Sequence, residues 1–595
     1  MKLKLILSLL IEREKRQLIF VLFVLFIMGC IELVGIGSIG PFISIVSNPQ
    51  IIHTNVYIDK VYTYFNFASD KNFIIASGIT VIIVLALSNF FLSCVNFIIY
   101  YYSAKRRHSI AMRLLEKYLR QPYIFYLNVN TAELSRNILG DVSTFVSSEL
   151  INLLHLISSA IIAISIVILL VIVNPLLALV ISAVLGLAYI IIFSIIRKFL
   201  ARKGVERSIQ NTLKYKYINE TFGGIKDIKI LGKEQVFLNF FFGPSKKFAM
   251  NDAISEVVND LPKYMIETLA IGGIVGVIIM MIHSGAQIDE FLPVLTVYAF
   301  GAYRLLPLLQ KIFRAVASIK YNFPIVENLN RDFRELPEGL VLTNEDTPRL
   351  AFRGSITLEH IVFSYPNTNK DIIKNQSITI ASNTSVALVG STGCGKTTLV
   401  DILLGLLEPQ SGKIYIDNQE INDTNRKNWQ KNLGYVPQSI YLTDDTIRHN
   451  IAFGIDPKKI DDAAIIRAAQ LANIHRFIVD ELKNGYDTII GERGIRLSGG
   501  QRQRIGIARA VYHDPSVLIL DEATSALDSL TENAIMDAIK NLSHKKTIIM
   551  IAHRITTVKN CDMIYLMDKG IIVDYGDYET LYHKNAAFRK MADGV

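Results

Sequence analysis

Six apolar runs, residues 18–47, 73–101, 145–173, 175–196, 264–283 and 291–310, dominate the first part of the chain. Each is near or above the roughly 20 residues that a helix needs to cross about 30 Å of hydrocarbon. Inside a bilayer every backbone N–H and C=O must be paired within the protein, so this part is expected to fold as an all-α membrane domain. Six spans put both ends of that domain on one side. Lys and Arg decide which side, because short loops rich in them stay in the cytoplasm. Lys2, Lys4, Arg13, Lys15 and Arg16 precede span one. Lys105, Arg106, Arg107, Arg113, Lys117 and Arg120 follow span two, and the stretch from Arg197 to Lys247 after span four is equally basic. The opposite loops hold Lys60 and Lys71, nothing at Asn174-Pro175, and an acidic segment at 284–290. Both termini are therefore expected in the cytoplasm, and the net charge of +9 reads as an orientation signal rather than as nucleic-acid binding.

The first run is too long for a cleaved signal peptide and has no small-residue cleavage site after it. Cys30, Cys94, Cys394 and Cys561 have no paired spacing, so neither a disulfide nor a zinc site is implied. Two cytoplasmic stretches, 104–144 and 197–260, read as amphipathic helices continuing the spans. Each is interrupted by a breaker, Gln121-Pro122 or Gly223-Gly224. The interruptions are either simple reversals or short crosswise helices near Tyr126 to Glu133 and Ile225 to Leu231. Pro337, Gly339, Asn344 and Pro348 mark a linker over 336–354. From 355 to 595, short β-rich runs (Ser385 to Val389, Val517 to Leu520, Thr547 to Ile551) alternate with helical stretches, which predicts an α/β domain with a mainly parallel sheet. The expectation is thus a multi-domain chain: an all-α six-helix transmembrane domain over 1–335, a linker, and an α/β phosphate-loop domain over 355–595.

Gly390-Ser391-Thr392-Gly393-Cys394-Gly395-Lys396-Thr397, followed by Thr398, lies between a predicted strand and an apolar helix predicted over Leu399 to Leu407. Such a loop wraps phosphates with backbone N–H groups, while its Lys reaches the β- and γ-phosphates and its Thr hydroxyl can bind Mg²⁺. Val517 to Leu520 then ends in Asp521 and Glu522, a carboxylate for Mg²⁺ and one to orient or deprotonate the attacking water. With these on the page, Leu497-Ser498-Gly499-Gly500-Gln501 resembles the signature of the ABC transporters. The other marks of that family follow in order: Tyr365 resembles the adenine-stacking aromatic, Gln438 the lid glutamine and Mg²⁺ or water ligand, Ser525 to Asp528 the D-loop, and His553 the switch histidine. The resemblance implies ATP and Mg²⁺ as cofactors. It also implies a site completed by Ser498 and Gly500 of a second copy, hence a homodimer of half-transporters with the type IV fold. Gly491-Glu492-Arg493-Gly494 resembles a segment found in exporters.

Intramembrane charges are costly and mark transport paths. Glu32, Glu267 and Arg304 qualify, and by helical rise Glu267 and Arg304 lie roughly 24 and 21 Å below the outer ends of their spans. They could pair with each other. Alternatively, Arg304 with Lys311 seven residues on, and Lys263, form a cationic path for an anion such as a lipid diphosphate. Ile31-Glu32, Gly40-Pro41-Phe42 and Tyr303-Arg304-Leu305-Leu306-Pro307 resemble stretches of PglK-type flippases of lipid-linked oligosaccharides. Tyr57 to Phe67 would match that group's external helix, or be an amphipathic loop on the outer leaflet. The chain departs from the group in lacking basic residues in span two before Lys105. The resemblance implies a flippase of the bacterial inner membrane. A general lipid or drug exporter and an ATP-gated channel or regulatory protein remain alternatives; a cargo-maturing peptide exporter is disfavoured.

Overall fold

The computed structural model describes residues 2–593 except 174, 285–287, 340–346, 367, 369, 523–531, 533–535, 537–544 and 553–554; many side chains over 266–299 also lie outside the description. The chain divides into two compact units, one of residues 1–121 and 128–339 and one of residues 122–127 and 340–595.

The first unit is helical. Its long elements are Glu12–Gly37, Ile39–Ser47, Asp70–Leu119, Ile151–Val173, Pro175–Gly223, Glu234–Ser284 and Ile288–Glu335. Among the described residues, four stretches are long and apolar enough to cross a membrane: Glu12–Ser47, Asp70–Leu119, Thr131–Ile172 and Ser182–Gly223. The runs expected as spans five and six fall on the last two helices, where the side chains of most residues from 277 to 299 lie outside the described set. The helix Asp70–Leu119 has 50 residues, about 75 Å at 1.5 Å per residue, more than twice the hydrocarbon thickness. The basic stretches expected on the cytoplasmic side are therefore continuations of the spans. They pack closely: a Cβ on Gly204 would lie 1.8 Å from the Tyr321 carbonyl oxygen, so no larger residue fits that crossing.

Two short elements differ from expectation. The first crosswise helix is Tyr123–Asn128, not Tyr126 to Glu133. The side chain of Asn130 caps a separate helix, Thr131–Ser135, and so breaks the chain inside the expected range. The second coincides with Ile225–Leu231. Between the first two spans stand Ile51–Thr54 and Val56–Tyr64 rather than one helix to Phe67. Asn55 fixes the start of the second by accepting from the N–H groups of Tyr57 and Ile58. Ile58 and Tyr62 pack inward on Ile45, Ile52 and Phe73, while Tyr57 and Tyr64 are exposed.

Among the described residues the second unit holds ten strands: β1 (Ser355–Phe363), β2 (Ile373–Ala381), β3 (Ser385–Gly390), β4 (Ser411–Ile416), β5 (Gln419–Glu420), β6 (Leu433–Val436), β7 (Val517–Asp521), β8 (Thr547–Ile551), β9 (Met563–Asp568) and β10 (Ile571–Gly576). The predicted parallel sheet is present in the order β10-β9-β3-β8-β7-β6, with β10 antiparallel at its edge. An antiparallel sheet, β2-β1-β4-β5, stands beside it and was not anticipated. Strands β3, β7 and β8 are buried at every position, as strands covered on both faces must be, which explains their unbroken apolar runs. The helix after the phosphate loop is Lys396–Leu403, three residues earlier than expected, because Lys396 itself begins it. Trp429 is fully buried and donates from its indole N–H to the Leu403 carbonyl at 2.9 Å, tying off that helix.

Candidate functional site

Parallel strands place their C-terminal ends together, and the chemistry-bearing residues collect there. The phosphate loop leaves β3, and Asp521 closes β7 two strands away, on the far side of β8. Gly393 (φ 78°) and Gly395 (φ 106°) adopt left-handed conformations that a side chain would strain, so the loop curls tightly before Lys396. Lys396 is buried, and its ammonium donates to the carbonyls of Gly390 at 2.8 Å and Ser391 at 3.0 Å. Its Nζ also lies 3.8 Å from Cys394 Sγ. The positive charge is thus held inside the loop formed by residues 390–395, where an incoming phosphate would replace carbonyl oxygens as its partners. Thr397 follows in the first turn of the helix. The Thr398 hydroxyl shares a hydrogen bond of 3.1 Å with that of Tyr365, whose ring meets Phe363 edge-on at 5.1 Å.

Asp521 is buried and accepts from the Tyr435 hydroxyl at 3.5 Å. Its neighbour Glu522 sits at φ 49°, an uncommon left-handed conformation for a residue with a side chain, stabilised by the bond from its N–H to the Ile551 carbonyl. Gln438 donates from Nε2 to Glu522 Oε2 at 2.8 Å, so the expected lid glutamine and the base candidate are in direct contact. Gln503 donates to the Glu522 carbonyl at 3.2 Å. Burial and the charge of Asp521 push the Asp401 carboxyl up to about 6. Burial, Asp521, Asp401 and Tyr123 together hold the Tyr435 phenol well above its usual range.

The signature begins the helix Gly499–Val511. Ser498 is its N-cap: Oγ accepts from the Gln501 N–H at 3.2 Å, and Gln501 Oε1 accepts from the Ser498 N–H at 2.8 Å. Capping uses only the acceptor side of the Ser498 hydroxyl, so its proton remains able to donate. His553, Asp528 and the rest of Ser525 to Asp528 lie outside the described residues.

The oxygens expected to hold a metal are the Thr397 hydroxyl, the Asp521 carboxylate and the Gln438 amide. Among the described residues no group of three or more His, Cys, Asp or Glu side chains could hold an ion. That donor set fits magnesium, which keeps several waters and takes phosphate oxygens with only one or two protein carboxylates. Tyr435 and Asp401, which surround Asp521, were not singled out from the sequence. A tyrosine on a buried strand reads as core, and no local signal separates the two cases.

The candidate path charges distribute differently from expectation. Arg304 does not pair with Glu267: its guanidinium lies 3.2 Å from Glu32 Oε1. The Ser88 hydroxyl donates to Glu32 Oε2 at 2.6 Å, so spans one, two and six meet at one buried carboxylate. Equal depth made Glu267 a plausible partner, but depth alone does not reveal which helices are neighbours. Glu267, Lys263 and Lys311 are exposed. A further buried ion pair, Glu14 with Arg106 at 3.1 Å, and half-buried hydrogen bonds to Asp332 from Tyr118 and Asn137 at 2.5 and 2.8 Å join other helices of this unit.

Residues 373–525 match the family described as ABC transporter, and residues 18–241 match the one described as ABC transporter transmembrane region. Each match is to one domain family of ABC transporters, the α/β unit to the ATP-binding one and the helical unit to the transmembrane one. The ATP-binding domain of this family uses ATP with Mg²⁺, which agrees with the donor set above. The chain is 34% identical over 371 residues to Heavy metal tolerance factor 1 of Caenorhabditis elegans, covering 61% of this chain and 45% of that protein. It is 37% identical over 292 residues to the uncharacterized ABC transporter ATP-binding protein YfiB of Bacillus subtilis, covering 49% and 48%. These matches span less than half the length of either relative. A solved bacterial Atm1-family ABC exporter with ATP bound has the same fold, with a TM-score of 0.78 over 98% of this chain and 99% of that one at 23% identity.

Proposed function

We propose that this ABC transporter is an ATP-driven exporter that works as a pair of identical chains in a bacterial inner membrane, with both termini cytoplasmic. The observation that carries the ATPase part is the contact of Gln438 with Glu522, next in the chain to Asp521. Lys396 and the backbone of residues 390–395 hold the phosphates, Tyr365 takes the adenine face, and Thr397, Asp521 and Gln438 hold magnesium. Bound with the nucleotide, the metal supplies charge neutralisation at the phosphates. Glu522, once Gln438 moves to other partners, accepts a proton from the attacking water. His553 donates to the γ-phosphate. Ser498 and Gly500 serve the nucleotide on the second copy, with Gly499, Gln501 and Asp528 beside them.

For the cargo, the resemblance to PglK-type flippases supports a lipid-linked oligosaccharide, an anionic head on a membrane-bound tail. A second reading, a general lipid or drug exporter, is favoured by one observation: Glu32 already neutralises Arg304, which weakens the cationic path. Both readings are tested by ATP-dependent loss of accessible labelled lipid-linked oligosaccharide in proteoliposomes, using the intact protein, Glu522→Gln and Arg304→Ala. Flipping by the intact protein alone, with ATPase retained in Arg304→Ala, supports the oligosaccharide reading. ATPase activity without flipping moves the cargo to the general class.

A further inference from the structure

The helix Gly499–Val511, which the signature begins, carries a buried glycine in its interior, Gly506. Glycine weakens a helix relative to alanine, so a buried one at mid-helix calls for a packing reason. That reason is Ile440. A Cβ on Gly506 would lie 2.4 Å from Ile440 Cδ1, 3.0 Å from Cγ1 and 3.2 Å from Cγ2, closer than a side chain can sit. The next residue, Tyr441, is held by the same helix: its carbonyl accepts from Arg509 Nη1 at 2.7 Å. Leu442 is buried and meets Gly494, just ahead of the signature, where an added Cβ would come within 2.7 Å of Leu442 Cδ1. Three consecutive residues, 440–442, are thus fitted against the signature and its helix.

Arg509 also grips the segment that follows. Its Nε donates to the Asn450 carbonyl at 2.8 Å and its Nη2 to Asn450 Oδ1 at 3.1 Å, while the guanidinium lies 4.4 Å from the centre of the Phe453 ring. Asn450 is fully buried, and its Oδ1 accepts from the Thr443 N–H at 3.0 Å as well. Hydrogen bonds from a charged donor are about twice as strong as neutral ones, and the planar fork of Arg serves several acceptors at once.

On the other side of Gln438 the chain is fixed to the sheet. Val436, the last residue of β6, pairs with Leu520 of β7, the strand that ends in Asp521. Residues 437–439 alone separate this anchor from the one at Ile440, and Gln438 is the middle residue of the three and exposed. A shift of the signature helix against the sheet is therefore taken up at Gln438, whose amide contacts Glu522 at 2.8 Å.

We infer that Gly506 and Arg509 are positioning residues: they fasten the segment after Gln438 to the signature helix, so that Ser498 and Gln438 shift together against the sheet. When Ser498 of one copy meets the nucleotide held by the other, this fastening resets Gln438 beside Glu522 in its own copy. The inference rests on the readings of Gln438 and Ser498 given above, and the test separates their failure from its own.

Full-length protein in nanodiscs is compared with Gly506→Ala, Ile440→Ala, the double variant of these two, Arg509→Lys and Gln438→Ala. ATPase kinetics, binding of a non-hydrolysable ATP analogue and hydrogen–deuterium exchange are measured on each. Ordinary contact begins near 3.4 Å, so the methyl added in Gly506→Ala displaces Ile440 by about 1 Å, and misplacement by about 1 Å can cost up to about 10²-fold in rate. Gly506→Ala is expected to lower kcat by about 10–100-fold while KM for ATP and analogue binding stay within about twofold. Exchange over residues 437–443 should quicken while β7 stays protected. Adding Ile440→Ala removes the three crowding carbons and should return kcat to within about threefold of the unaltered protein, a coupling expected of residues in contact. Arg509→Lys lowers kcat in the same direction by a smaller factor.

Unchanged exchange over 437–443 in Gly506→Ala overturns the fastening. Unchanged kcat, or a double variant no faster than Gly506→Ala, overturns the positioning role, and so does an equal loss of analogue binding, which would mark a merely structural one. An unchanged kcat in Arg509→Lys removes Arg509 from the fastening. If Gln438→Ala hydrolyses ATP at the unaltered rate, the reading of Gln438 fails instead, and exchange alone then decides whether the segment is fastened.

Discussion

Replacing Arg304 by Ala removes the guanidinium from a carboxylate whose side chain is 5% exposed, whereas Arg304 itself is 23% exposed. Glu32 would then keep the Ser88 hydroxyl as its hydrogen-bond donor among the described residues. Breaking a buried ion pair from one side costs about 3–5 kcal/mol, because the remaining charge is left without compensation. The reverse change, Glu32→Gln, keeps a group able to bond Ser88 and leaves a guanidinium that can reach water, so its cost is nearer about 1–3 kcal/mol. The asymmetry follows from which partner is more deeply buried. Combining Glu32→Gln with Arg304→Ala removes both charges and leaves neither stranded in the buried site. The double variant should therefore be more stable than Arg304→Ala alone, with a coupling of about 2 kcal/mol between the sites. Thermal midpoints of the four proteins in nanodiscs measure this. Equal losses from the two single changes, adding up in the double variant, would refute the idea that Glu32 and Arg304 act as one unit.

Lys396→Ala should abolish detectable ATP binding, while Glu522→Gln should retain binding and lower ATPase by about 10²–10⁴-fold, the usual contribution of a positioned base; nucleotide binding and turnover measured on the same samples separate the two roles. Trp429 is the single tryptophan and is fully buried in the ATP-binding domain, so its fluorescence reports the unfolding of that domain; Trp429→Phe leaves the Leu403 carbonyl without its donor and should cost about 1–3 kcal/mol in denaturant titration. Burial, with Asp562 nearby, pushes the Cys561 thiol up to about 12, so at pH 8 its thiolate is roughly one part in 10⁴ and maleimide labelling of the folded protein should spare it; the labelled fraction should rise as pH increases toward 12 or as the domain unfolds.

The apolar runs, the basic loops and the phosphate-loop sequence were legible without coordinates because each is a local signal. A run of about 20 apolar residues, a glycine loop before Lys396, and a strand ending in Asp521-Glu522 carry their physics in consecutive positions. What the sequence left open was every question of which distant residues meet. Glu267 was the partner expected for Arg304 from equal depth, and helix packing chose Glu32 instead. Tyr123, Asp401 and Tyr435 span 312 positions of the chain, and nothing at any one of them announces the others. The crosswise helix moved by three residues because the side chain of Asn130 captured a neighbouring N–H. Charge pairing and metal-ligand orientation depend on distances of a few ångströms between elements, and those distances are set by packing, which no single stretch of sequence contains.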